Sequence, residues 1–69
     1  MELQYKTLIK INDPSQNAKD LIGVVLAHDS RTNKVTYRIV ANNFVGRVSF
    51  TTNRWNCTTI GMYEGNIPL

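Results

Sequence analysis

Three neighbouring residues, His28, Asp29 and Ser30, carry the side-chain types of a hydrolytic triad. That chemistry needs the imidazole within hydrogen-bond reach of the hydroxyl and oriented by the carboxylate. Adjacent residues of an extended chain point to opposite faces, so a histidine closing a strand and an aspartate opening a turn is the simpler reading. Cys57 is a second candidate nucleophile. A reactive thiol needs a cation or a helix N-terminus to lower its pKa. Arg54 is the nearest cation along the chain, and a lone cysteine more commonly serves as a small buried hydrophobe. The acids Glu2, Asp13, Asp20, Asp29 and Glu64 are scattered, without the close pair that general acid and base work requires. Gly23, Gly46, Gly61 and Gly65 are isolated, so no phosphate-cradling loop is expected. Cys57 and His28 supply two of the roughly four ligands a zinc ion takes. The expectation is a non-enzymatic chain with no catalytic residue, metal site or cofactor.

A stronger constellation mixes basic and aromatic residues: Tyr37, Arg38, Arg47, Phe50, Arg54 and Trp55. Tyr37 alternates with Val35 and Ile39, and Phe50 with Val48, so both rings are expected in the core. The remaining contact set is Arg38, Arg47, Arg54 and Trp55. Single-stranded nucleic acid is held by cations on its phosphates and aromatic platforms under its bases, and Lys6, Lys10, Arg31 and Lys34 could extend the positive surface. The formal charge of +3 suits such a partner and equally suits a solubility device. The same Arg54–Trp55 pair could anchor a partner protein, and an exposed edge strand could take up a partner strand. Nucleic-acid binding is slightly favoured. The alternative is a protein-binding accessory or inhibitor, of the kind phages and mobile elements carry against a host protein.

These residues must be held by strands. Gln4 to Asn12 alternates, with Tyr5, Thr7, Ile9 and Ile11 on one face, and its lysines suit an edge strand. Asn12 to Asn17 is dense in turn residues, and Asp13 or Ser15 could cap one short helical turn through Ala18, Lys19 and Asp20. Leu21 to Ala27 is apolar on both faces, as a central strand is, with Gly23 permitting a bend. Asp29 to Asn33 is a hairpin connection, with Asn33 best able to take a positive φ. Lys34 to Ala41 is a third strand, Asn42-Asn43 a turn, and Gly46 to Thr52 a fourth strand. Asn53 to Asn56 reads as a turn or a single 3₁₀ step before a last strand from Cys57 to Ile60. The tail from Gly65 to Leu69 is expected to be loose, with Ile67 and Leu69 able to pack across one end.

Five short strands at near-regular spacing predict one all-β domain over residues 1–69. The meander, late single-turn connection and closing strand resemble SH3-like small barrels, with an OB-like barrel or an open curled sheet as alternatives. At 69 residues the core is small. One cysteine excludes an internal disulfide, leaving tight packing or a homo-oligomer as support. No apolar run approaches the ~20 residues of a membrane span, and MELQYKTLIKIN lacks the features of a signal peptide. A cytoplasmic protein without a membrane partner is expected.

Overall fold

The computed structural model of the chain describes residues 2–68. Five strands follow one another: β1 (Thr7–Asp13), β2 (Ala18–Asp29), β3 (Lys34–Ala41), β4 (Phe44–Asn53) and β5 (Cys57–Met62). Two single 3₁₀ turns interrupt them, η1 (Pro14–Gln16) and η2 (Arg54–Asn56); Asp13 caps η1 as expected, but the turn ends at Gln16 and Ala18 to Asp20, expected within it, open β2. All neighbours pair antiparallel in one sheet, in the order β4-β3-β2-β1-β5. The all-β class and the five strands stand as expected. The sheet, however, is not closed: η2 carries the chain past β4 so that β5 pairs with β1, and β4 and β5 remain as its two edges. β1, expected at an edge from its lysines, lies between β2 and β5.

Turn chemistry sets these boundaries. Asn33 has φ 58°, and Asn42 and Asn43 have φ 53° and 65°, the two positive values of a type I′ hairpin turn. Asparagine visits this region more readily than most residues with a side chain. Lys6 sits there too, at φ 74°. It is the third residue of a turn in which the Thr7 N–H donates to Gln4 O at 3.1 Å. The Lys6 N–H donates to Val25 O at 2.9 Å and its carbonyl accepts from the Tyr63 N–H at 2.8 Å. Those two bonds hold a lysine where glycine would sit without strain. The turn also ends the alternation: Thr7, Ile9 and Ile11 are buried, while Tyr5 is exposed.

Ile9, Ile11, Val25, Val35, Tyr37 and Cys57 form the buried cluster on the concave face. Close contact requires glycine at Gly23. A Cβ there would lie 2.8 Å from Tyr37 Cδ2 and 2.9 Å from Ile11 Cδ1. Val24, between Leu8 and Arg38 in the register, is fully buried outside that cluster. Arg38 Nη1 donates to Pro68 O, which holds the C-terminal segment to the sheet, and Ile67 there is half-buried. Leu69, expected to pack with Ile67, lies outside the described residues.

One polar clasp curls the sheet. Asp13 ends β1, and β2 and β3 separate β1 from β4. Yet Asp13 Oδ2 accepts from Thr52 Oγ1 of β4 at 2.6 Å, in buried surroundings. Asp13 Oδ1 accepts from Ser15 Oγ at 2.6 Å and from the Ser15 N–H at 3.0 Å. Thr52 Oγ1 in turn accepts from Asn56 Nδ2 at 3.1 Å, bringing η2 into the network. The hydroxyls of Ser15 and then Thr52 hold the Asp13 carboxyl below the usual carboxylate range.

A group whose folded pKa is lowered contributes stability above its unfolded pKa and loses it as pH falls through the folded value. Stability should therefore decline with acid below about pH 4, and Asp13→Asn should flatten that decline. Thr52→Val should cost about 1–3 kcal/mol in urea unfolding while Thr52→Ser stays near wild type; equal losses would show that the hydroxyl is not what matters. Lys6→Gly should leave stability unchanged or raise it by up to about 1 kcal/mol. A loss of that size instead would mean the turn is unstrained.

Candidate functional site

The triad types do not assemble. The Leu3 N–H donates to His28 Nδ1 at 2.9 Å, and His28 Nε2 lies 3.0 Å from Asn33 Oδ1. With Nδ1 accepting, Nε2 is left to donate to Asn33 Oδ1, so both nitrogens are occupied by structural partners. Asp29 accepts from the Arg31 N–H at 2.9 Å and pairs with Arg31 Nε at 3.7 Å. Cys57 is buried in the core, 3.7 Å from Asn53 O. Burial pushes its thiol pKa up, and the opposing pull of Arg54 is the smaller effect. A shallow cavity of about 320 Å³ beside η1 is lined by Asn12, Pro14, Asn17, Ala18 and Lys19; no carboxylate, histidine or cysteine faces it.

The four residues expected to form a contact set are dispersed. Register and alternation put Arg38 and Arg47 on the convex face of the β3–β4 hairpin, Arg38 opposite Ser49 and Arg47 two residues before it. Arg38 is half-buried and engaged with Pro68 O, whereas Arg47 is exposed. Arg54 is also engaged, donating from Nη1 to Cys57 O at 3.0 Å within η2. Trp55 is 73% exposed at the far end of the hairpin. One free arginine and one free indole therefore remain, at different places.

The sheet exposes a different set. Tyr37 is core as expected, but Phe50 and Val48, expected with it, are 38% and 63% exposed, and Phe44 is 78% exposed. The cause is the open edge: no strand lies beyond β4 to cover its concave side. Phe50 packs on Tyr37 with ring centroids 5.9 Å apart, and Phe44 lies opposite Ala41 in the register. Alternation puts Phe44, Val48 and Phe50 on the concave face and Val45, Arg47, Ser49 and Thr51 on the convex face. The ladder is irregular between Arg38 and Val40, where Gly46 to Val48 bulge opposite Ile39.

The backbone of this edge is accounted for in part. The Arg54 N–H donates to Asn33 O at 2.9 Å, marking a hydrogen-bonded pair. Antiparallel pairs alternate, so Thr52 and Phe50 bond to β3 while Ser49 and Thr51 turn their N–H and C=O groups outward. Thr51 O meets a side chain there: Gln16 Nε2 of η1 donates to it at 2.5 Å. Gln16 Oε1 lies 3.5 Å from Tyr37 Oη.

Charge is segregated along the chain. From Ser30 to Tyr63 there is no Asp or Glu, but there are Arg31, Lys34, Arg38, Arg47 and Arg54. Among the described residues the one ion pair is Arg31–Asp29. That acid-free run was the readable signal for a charged surface, whereas exposure of Phe44, Val48 and Phe50 depends on strand order. No helix is long and apolar enough to cross a membrane. Comparison with protein-family models, curated proteins and solved structures finds no match to this chain.

Native Cys57 should react with a thiol reagent at neutral pH far more slowly than a free peptide cysteine, and at full rate in denaturant. Fast stoichiometric labelling of the folded protein would restore the nucleophile reading.

Proposed function

We propose that this chain is a non-enzymatic binding module that takes up an extended segment of a partner protein along β4. One observation carries this reading: the exposed apolar side chains of β4 and its one cation, Arg47, lie on opposite faces of the strand. A nucleic-acid strand needs rings and cations on one surface, so that a base stacks where its phosphate is neutralised. An added β-strand sends its own side chains alternately to both faces, and main-chain hydrogen bonds to the edge supply affinity. The charge at Arg47 and the bulge at 46–48 are devices that protect natural edges, and they leave the stretch of β4 around Ser49 and Thr51 for pairing. Occupying a partner's extended segment suits an accessory or inhibitor of a host protein. The strand order, with a 3₁₀ turn before the last strand, supports an SH3-like barrel opened along the β4–β5 seam. A lone free thiol suits a reducing compartment, and we take the site of action to be cytoplasmic.

Nucleic-acid binding is the second reading, favoured by the acid-free run and by Phe44 and Trp55 standing clear of the sheet. The experiment compares wild type with Ser49→Pro, which removes an outward N–H without breaking a ladder bond. In affinity capture, a specific partner should be lost with Ser49→Pro and kept with Lys19→Ala, an exposed residue of β2 away from the β4 edge, and the Ser49 and Thr51 amides should exchange more slowly in its complex. A partner held equally by Ser49→Pro would end the strand-addition reading. Labelled oligonucleotides should fail to bind at low salt; binding that weakens steeply as salt is added would put nucleic acid in its place.

A further inference from the structure

We infer that the segment β4 accepts alternates apolar and acidic residues, and that Gln16 gates its entry by standing in for the first hydrogen bond of a sixth strand. This rests on strand addition at β4. The gate follows from the geometry at Thr51. Its outward carbonyl is where an incoming strand would place an N–H, and the Gln16 side-chain amide already donates to it at 2.5 Å. Gln16 is solvent-exposed and belongs to a three-residue turn. Its carboxamide can swing away without disturbing the Asp13 clasp, which uses Asp13, Ser15 and Thr52 instead. Displacement exchanges one amide donor for another at Thr51 O and also releases Tyr37 Oη from Gln16 Oε1, so the gate weakens entry without forbidding it.

The chemistry of the segment follows from the two faces. Side chains it sends to the concave side meet Phe44, Val48 and Phe50, which are exposed and apolar. Those it sends to the convex side meet Arg47, beside Ser49 and Thr51, with Lys34 on the same face of β3 across from Asn53. Arg47 has no carboxylate partner among the described residues, and the nearest acids along the chain are Asp29 and Glu64. Carboxylates at every second position would be attracted there, and lysines repelled. Near Gly46 to Val48 the bulge bends β4. Pairing is therefore centred on Ser49 and Thr51.

The test titrates the labelled full chain with blocked eight-residue peptides alternating valine with glutamate or valine with lysine, followed by amide NMR at low salt. The glutamate peptide should move the Ser49 and Thr51 amides and bind about tenfold more tightly than the lysine peptide. Gln16→Ala should bind it about three- to tenfold more tightly than wild type, because one competing hydrogen bond is gone. Ser49→Pro should abolish the shifts while remaining folded by its other amides. If both peptides bind β4 equally, the acidic preference is wrong and strand addition stands. If Gln16→Ala binds no better, the gate is wrong. If neither peptide moves β4 amides, even in Gln16→Ala, this inference falls together with the reading it rests on.

Discussion

The Asp13 carboxylate is the constraint on which the remaining structure depends. A five-stranded antiparallel sheet with every neighbour paired could lie as a twisted open ribbon. Its second strand from one edge would then never meet the strand at the opposite edge. Here the end of β1 reaches β4 because Asp13 takes hydroxyl donors from both Ser15 and Thr52, and Thr52 takes the amide of Asn56. A buried carboxylate without its donors is costly. The curl that satisfies it also brings Ile9, Ile11, Val35, Tyr37 and Cys57 into one cluster. In so small a chain, a polar network at one end defines the shape that a few apolar side chains then fill.

The clasp acts at one end only. At that end, η1 and η2 cover the approach of β1 to β4. Further along, β4 runs beyond its cover, and Phe44 and Val48 are left with water on the side where a closed barrel would have a neighbour. The exposed apolar surface of β4 is thus a by-product of how far closure extends. The strand's two faces differ in character because they inherit the sheet's own alternation, apolar toward the concave interior and polar or cationic outside. Arg38 and Arg54 illustrate the competing demand on cations in a small fold. Each satisfies a carbonyl of irregular backbone, at Pro68 and Cys57, so neither is free for a ligand.

Much of the fold is legible in the residues. Lys34 to Ala41 alternates cleanly and is β3 end to end; Asn33 and the Asn42-Asn43 pair take the positive φ values their side chains tolerate. β2 is central because it is apolar on both faces. Other features depend on pairing, which single-strand patterns do not encode. Lys6 and Lys10 suggested an edge, yet β1 is inside the sheet because β5 returns to it. Val48 and Phe50 look like a core pair, and only the absence of a sixth strand exposes them. The roles of Arg38 and Arg54 hinge on backbone carbonyls thirty and three residues away. Contacts of that kind leave no periodic trace.

The pairing of β1 with β5 carries a consequence for how the chain reaches this state. Thr7 meets Met62 and Ile11 meets Cys57, whereas the other ladders join strands adjacent along the chain. Loops that long close late, after the local hairpins. Until β5 arrives, the β1 backbone beside Ile9 and Ile11 is an open ladder next to an uncovered apolar cluster. Docking of β5 therefore moves one rim of the sheet outward from β1 to β5, away from the apolar cluster, and leaves the other at β4.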